Sequence, residues 1–560
     1  MSDSALKIVK NYHQQTKHRP GAYARSAGYM DWANQPLPYR LYQGSEKINL
    51  PLNPKVLVSS AVNLFQSSTQ AADIICLDSI ARLLQNSLGL SAWKSYNGTE
   101  WALRINPSSG NLHPTECYLL LPDLVPTSLP EMSSTLATEQ AHKNAYSVHY
   151  NPYINSLEKR ALLSDSASDF LNKKQGFAVL LTSIAWREAW KYGERAYRYC
   201  QHDLGHALAA LTIAANLNGW KIEILDGIPN KKIASILGIN QSTYAEQEKE
   251  YVDCICWVSS ESSESSDLED VTAWLNNFPD LIYQDQANQL SQSHQNWPII
   301  NDLFNVSHQQ NFCFIKENAS FLSPLPEHAA DASLLELSAE KIIQQRRSAQ
   351  SFDAVASVMS VESFISQLQK TLAEQSIPFS VLPQQAQVHL VLFVHNVQGL
   401  ASGLYIWVRN QRHLSKLKSS MHANFEWSQS VNSQPLYLLK KGDYRKIAKA
   451  LSCDQDIAAD SAYSLAMLAR FEDNLAHSAS QYPVLFWETG IIGQALYLAA
   501  ECDDLRGTGI GCFFDDLVHD LLGLKDQQWQ SLYHFTIGKQ IDDARISTKP
   551  AYFHLQALAE

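Results

Sequence analysis

The sequence predicts an α+β protein built from two tandem copies of one fold, a fused pseudo-homodimer, and three observations lead there. The first is length: 560 residues exceed what one compact core holds, at roughly 100–200 residues per domain. The second is an alternation of helical and strand patterns that occurs twice, over residues 36–258 and again over 330–547. The third is a self-match. Laying each residue on the one 285 positions later pairs Tyr197 with Tyr482, Gly205 with Gly490, Ala210-Leu211 with Ala495-Leu496, Ala214-Ala215 with Ala499-Ala500, and Leu237-Gly238 with Leu522-Gly523, without a gap. Small residues at equivalent helical positions imply that both helices pack closely against a neighbour.

Residues 1–35 form an N-terminal extension that opens on a weakly amphipathic helix, Ala5 to His13, and continues through a Pro/Gly-containing stretch. The first repeat, 36–258, has helical spacing from Ile74 to Leu88, a strand from Glu116 to Leu121 and a nearly continuous apolar strand from Gly176 to Thr182. A helix from His202 to Leu217 and a strand from Val252 to Val258 close it. Ser259 to Asp267 is almost all serine and acid, a composition that buries no apolar surface, so it predicts a flexible link. That link opens a connecting region, 259–329, with helical pieces near Val271–Asn277 and Ile299–Phe304. The second repeat, 330–560, restates the order: a helix from Ser338 to Gln345, a buried strand from His389 to Val394, a helix from Glu488 to Asp503 and a last strand from Ser531 to Ile537.

Hydrophobic residues at 45% and charged residues at 18% are those of a globular protein, and a formal net charge of −12 argues against a nucleic-acid or anionic membrane partner. No apolar run is long enough to span a bilayer, and the start lacks the apolar core of a signal peptide, so a cytoplasmic protein is expected. Nine cysteines are spread along the chain; the closest pair, Cys254 and Cys256, has no Cys or His partners at zinc spacing, so reduced buried thiols are expected. His202, Asp203 and His206 lack a third ligand in sequence, and we read them as a helix-surface or core hydrogen-bonding set with no metal.

Chemistry concentrates in a few short segments. Pro107-Ser108-Ser109-Gly110-Asn111-Leu112-His113-Pro114 is a small-residue loop that feeds a strand. Its hydroxyls, amide and backbone N–H groups lie on one arc that could hold a polar ligand edge. Alone it is equally an ordinary turn whose hydroxyls bond its own backbone. Arg346-Arg347-Ser348 supplies fixed positive charge and a hydroxyl, as a phosphate requires. Gly507-Thr508-Gly509-Ile510-Gly511-Cys512-Phe513 reads as a loop whose glycines allow close backbone approach to a ring. It lies after one helix and before another, which argues against a dinucleotide-binding strand-to-helix turn.

Taken together and in order, these segments resemble the FMN-dependent nitroreductase superfamily, and within it the SagB/ThcOx-type dehydrogenases that oxidise azolines to azoles in modified peptides. The likeness covers nearly the whole chain, so the two repeats are expected to be nitroreductase-like domains. It implies that Arg346, Arg347 and Ser348 meet the flavin phosphate and ring, that the backbone at Gly509, Gly511 and Cys512 approaches the flavin N5 region, and that Arg545 reaches the phosphate. Gly399-Leu400-Ala401-Ser402-Gly403-Leu404-Tyr405 is similar to the superfamily's Gly-Leu-x-x-Gly-Leu-Tyr strand entry. The Pro107, Ser108, Ser109, Gly110, Asn111 segment resembles the family's Pro-Ser-x-Gly element, which reaches the flavin from the opposite subunit of a dimer. Lys191-Tyr192-Gly193 is similar to the azoline dehydrogenases' Lys-Tyr-Gly motif, which implies that Lys191 and Tyr192 transfer protons.

Each repeat lacks what the other has. The first has only Arg40 where an Arg-Arg-Ser opening belongs, and its last strand runs into Ser259-Ser260 without the closing glycine and arginine; the second has Leu382 to Gln387 where the Pro-Ser loop belongs. One composite site, and so one FMN per chain at the interface of the repeats, is the expectation. The substrate class would be a small molecule or a peptide-derived heterocycle, with dioxygen or another acceptor reoxidising the flavin. Two alternatives stand beside this reading: an NAD(P)H-dependent nitro or quinone reductase, and a degenerate flavin-binding or scaffold protein without catalysis.

Overall fold

The computed structural model describes residues 2–556 apart from 56, 58, 125–143, 261–264, 284, 309–313, 316–331, 374–375 and 432. The chain forms two compact units that do not follow its linear order. The first comprises 26–58, 67–312 and 547–560; the second comprises 1–25, 59–66 and 313–546. The opening helix α1 (Ser2–Gln15) therefore belongs to the second unit. Val9, Tyr12, His13 and Thr16 form its buried stripe, at the i, i+3, i+4, i+7 spacing of a helix face. His13 reaches the Tyr482 hydroxyl (3.2 Å) and Gln530 (3.1 Å), and Lys17 pairs with Asp516 (2.7 Å).

The first unit holds a small sheet pair, β2 (Leu90–Tyr96) and β3 (Thr99–Arg104), beside a seven-stranded antiparallel sheet. The large sheet contains β1 (Glu46–Asn49), β4 (Thr115–Pro122), β5 (Ala145–Asn151), β6 (Ser156–Leu162), β7 (Gly176–Ile184), β8 (Lys221–Ile224) and β9 (Glu250–Ser259), in the order β1-β6-β5-β4-β7-β9-β8. Every residue of β4, β7 and β9 is buried. A strand covered on both faces needs no alternation, which is why Gly176–Thr182 reads as a continuous apolar run. Between the strands lie α2 (Ala185–Tyr192), α3 (Ala196–Leu217) and α4 (Asn230–Leu237).

The expected link at Ser259–Asp267 requires correction. Residues 261–264 lie outside the described residues, but Ser265–Asn276 is a helix, α5. Asp267 sits in its first turn, where a carboxylate suits the helix dipole, and Val271 and Leu275 are buried in the core with Ile233 and Ile255. The serine- and acid-rich composition before it masked this, although Leu268 in the first half of the helix packs against the same core as Val271 and Leu275.

In the second unit, α6 (Ala339–Gln345) precedes a second seven-stranded antiparallel sheet. Its strands are β10 (Val388–Val394), β11 (Gly403–Trp407), β12 (Ser428–Gln429), β13 (Leu436–Lys441), β14 (Tyr463–Arg470), β15 (Arg506–Ile510) and β16 (Trp529–Gly538), in the order β12-β13-β11-β10-β14-β16-β15. Leaving aside β1 and β12 at the edges, both sheets follow one path of six strands, 3-2-1-4-6-5 in chain order. The helices agree as closely. α7 (Gln481–Cys502) and α8 (Asp515–Leu522) begin and end 285 residues after α3 and α4. Both α4 and α8 stop at a left-handed glycine, Gly238 (φ 66°) and Gly523 (φ 78°). Near the end of the chain β17 (Ser547–Lys549) pairs with β2 in the first unit.

Two sequence expectations are displaced. The long helices start earlier than expected, at Ala196 and Gln481, because they are buried on all sides and no amphipathic period marks their beginnings. Pro483 fits the first turn of α7, where its missing N–H would have had no partner. The glycine-rich Gly507–Ile510 is part of strand β15, not a loop. A strand followed by a helix is thus present after all, but β15 runs antiparallel to β16, unlike the parallel sheet of a dinucleotide fold. Among the described residues no helix is long and apolar enough to cross a membrane.

Candidate functional site

In the first unit the Pro-Ser turn joins β3 to β4. Gly110 (φ 59°) takes the left-handed conformation that a β-carbon disfavours. Ser109 donates its N–H (3.0 Å) and its hydroxyl (3.0 Å) to the Asp203 carboxylate on α3. His113 N–H donates to Ser108 Oγ (2.8 Å), and Asn111 Nδ2 donates to the Ala102 carbonyl (2.8 Å). Much of the turn's polar capacity is thus used within its own unit, while Pro107, Ser108, Ser109 and Asn111 stay half-buried and Gly110 is exposed.

The turn meets the Lys-Tyr motif. A β-carbon at Gly110 would lie 2.6 Å from the Tyr192 hydroxyl and 3.2 Å from Lys191 Nζ, so the bare glycine lets the C-terminal end of α2 close on the turn. The Lys191 ammonium sits 5.2 Å from the centre of the Tyr192 ring, and that ring packs 4.4 Å from Tyr199. Glu188, three residues before Lys191, and Asp203 complete the constellation. Both are buried. Burial, and then the neighbouring Asp203 charge, push the Glu188 carboxyl well above the usual range. Burial pushes Asp203 up to about 7 against the opposing pull of the Ser109 N–H and the Ser108 and Ser109 hydroxyls. The sequence reading singled out Asp203 only for its place beside two histidines and passed over Glu188; His202 and His206 are buried in α3.

The second unit gathers its candidate residues around Tyr497 of α7. The Tyr497 hydroxyl accepts from Gly509 N–H (3.0 Å) and shares a hydrogen bond with Ser348 Oγ (2.8 Å), while the Arg346 guanidinium lies 5.1 Å from its ring centre. Arg347 N–H donates to Glu501 (3.0 Å), and Arg506 lies 3.8 Å from Glu501 and 2.7 Å from Asp542. The Arg347 guanidinium itself donates to the Gln344 (2.8 Å) and Arg346 (2.6 Å) carbonyls. Burial, then Arg346 and Arg506, press the Arg347 guanidinium down to about 10 against the pull of Glu501. A phosphate dianion fits such a cluster. The glycines of β15 have a different reason: a β-carbon at Gly509 would collide with the Tyr533 hydroxyl, and one at Gly507 with the Phe535 ring. Beyond the strand, Cys512 Sγ lies 2.8 Å from Cys453 Sγ. Arg545 is exposed and ion-paired with Asp543 (2.7 Å). Tyr497 left no signal in the sequence beyond its place in a buried helix.

Two equivalent helix positions close the description. The 285-residue offset pairs Asp203 of α3 with Glu488 of α7. The Glu488 carboxylate accepts from Gln387 N–H (3.0 Å) and Val388 N–H (3.2 Å) at the entry to β10, as Asp203 accepts from the turn before β4. Glu488 has Arg409 as its buried ion-pair partner, whereas Asp203 has Glu188 beside it. Arg40, which stands where the first repeat's Arg-Arg-Ser opening would belong, is buried between Glu248 (3.9 Å) and Glu250 (3.8 Å).

Residues 388–539 match the model of the nitroreductase family. Among solved structures, an assigned nitroreductase from Anabaena variabilis aligns over 95% of this chain and 99% of its own, at 20% identity and a TM-score of 0.64. This shows a shared fold. An assigned nitroreductase from Ralstonia eutropha (12% identity, 43% of this chain and 98% of its own, TM-score 0.26) and the Escherichia coli microcin synthetase McbBCD complex (17% identity, 47% of this chain and 95% of that one, TM-score 0.25) align too weakly to bear on it. No curated protein matches the chain.

Proposed function

We propose that this chain is an FMN-dependent oxidoreductase, a pseudo-dimer in which one flavin is served by both repeats, and that it dehydrogenates a small or peptide-derived heterocycle. The observation that carries the reading is the uneven division of parts. Arg346, Arg347 and Arg506 gather positive charge suited to a phosphate in the second unit, and the Gly110 turn lies against Lys191 and Tyr192 in the first. The glycines of β15 add nothing to the case, since Tyr533 and Phe535 account for them.

FMN, when bound, supplies hydride acceptance. The chain's own residues supply charge and proton management. Arg346 and Arg347 would hold the phosphate. Ser348 and the Gly509 N–H, both tied to Tyr497, hold that segment against β15. Lys191 Nζ and the Tyr192 hydroxyl would take the proton that leaves a substrate nitrogen as its C–H hydrogen departs as hydride.

The purified protein is expected to be yellow with close to one FMN per chain. A ratio near two, or none, sinks the proposal. Arg347→Ala is expected to lose flavin on gel filtration. Lys191→Ala is expected to keep flavin and lose oxidation of an azoline-bearing peptide, followed by mass spectrometry as the loss of two hydrogens. The family match favours one second reading, reduction of nitro compounds or quinones by NAD(P)H. Rapid anaerobic bleaching of the flavin by NAD(P)H would select it.

A further inference from the structure

The buried carboxyl pair behind the Pro-Ser turn has a chemistry that its counterpart in the second unit lacks. Asp203 is fixed by donors: the Ser109 N–H and hydroxyl both end on it. Glu188 is less well served: both its oxygens are buried without a partner in strict hydrogen-bond geometry, and the pull of the nearby Lys191 and Ser108 hydroxyl is outweighed by burial and the Asp203 charge. It lies against Asp203 and the Ser108 hydroxyl, with Lys191 as its nearby cation. Two ionised carboxylates there would place two acceptor-only groups against each other in a dry site, which is costly. A proton on Glu188 removes the conflict, since the acid can then donate to the Asp203 carboxylate.

We propose that Glu188 and Asp203 hold one proton between them, and that this singly charged pair is the positioning element that anchors the Ser108–Ser109 turn and sets the charge facing Lys191. Glu188 is the acid and Asp203 the carboxylate, because the serine donors already point at Asp203. The other titratable groups that act on this neighbourhood are the buried Cys200 thiol, which burial and then the carboxyl pair push up, and Asp253, whose charge is met by His308 (3.2 Å) and Gln201 (3.0 Å). At the equivalent position of the second unit Arg409 neutralises Glu488, and no shared proton is needed there.

The link to Lys191 rests on the proposed proton-transfer role; the shared proton does not, and the tests separate them. Infrared difference spectra of the full-length protein at pH 7, wild type minus Glu188→Gln, should show one protonated carboxyl band in the wild type. Equilibrium unfolding should show the same proton. The folded pair keeps it while unfolded carboxyls, with pKa near 4, have lost it, so the wild-type folding constant should fall up to tenfold per pH unit relative to Glu188→Gln between about pH 4 and 7. A missing band, or an identical pH slope in the variant, overturns the shared proton. In turnover, the limb of the pH–rate profile assigned to Lys191 should move in Glu188→Gln; an unmoved limb overturns the coupling. Failure of the functional reading looks different: turnover unchanged in Lys191→Ala, with the band still present. Should Asp203→Asn fail to fold, because Asp203 carries the turn, Glu188→Gln decides alone.

Discussion

Asp203 and Glu488 occupy the same place on α3 and α7, each receives backbone N–H groups from the segment that enters the first central strand of its sheet, and each is buried. Their companions differ. Glu488 is paired with Arg409, so its charge is neutralised for good; Asp203 is paired with Glu188, so its charge depends on a proton. A permanent ion pair gives a rigid strand entry. A carboxyl pair beside a lysine gives an entry whose electrostatics respond to pH. The difference shows how one fold position serves as scaffold in one unit and as candidate chemistry in the other.

The largest effect that would sharpen this contrast is on stability. Arg409→Ala strands Glu488 in a buried site and should cost about 3–5 kcal/mol, read from urea unfolding of the second unit. Glu188→Gln replaces one neutral, hydrogen-bonding side chain with another and should cost less than about 1 kcal/mol at pH 7. Equal losses in the two variants would break the comparison. Arg40→Ala belongs with Arg409→Ala, because Glu248 and Glu250 would be left buried around it.

A smaller effect is expected at the turn. Gly110→Ala puts a β-carbon at φ 59° and within 2.6 Å of the Tyr192 hydroxyl, so about 1–2 kcal/mol of strain and displacement of Tyr192 should follow. Turnover should fall further than stability does, whereas flavin retention, held chiefly through the Arg346 and Arg347 phosphate contacts of the proposed site, should fall less. The smallest effect is at Arg545. Exposed and paired with Asp543, it should change neither the unfolding midpoint nor flavin retention when replaced by alanine, whereas Arg347→Ala should lose the flavin.

Much of the fold was legible. The 3.6-residue and continuous-apolar patterns located the central strands and the long helices, and the 285-residue offset marked α3 and α7 as equivalents whose ends coincide residue for residue. The misses have physical causes. A helix buried all round carries no stripe to date its start, and a run of serine and acid just before and into a helix hides where it begins. A glycine-rich strand looks like a loop until the Tyr533 and Phe535 rings that need its missing side chains are placed against it.

The site divides in the same way. By itself the sequence determined the composition of the short segments, Pro107–Pro114, Lys191–Tyr192 and Arg346–Ser348, because turns and charge clusters are local and their chemistry is written in adjacent residues. Only the tertiary structure decided which of them meet. The Gly110 turn lies against Lys191 and Tyr192, Ser348 and Gly509 converge on Tyr497, and Glu188 is shut in with Asp203 of the next helix. A carboxyl's protonation depends on what surrounds it and on how little water reaches it, and both are properties of packing that no stretch of sequence states.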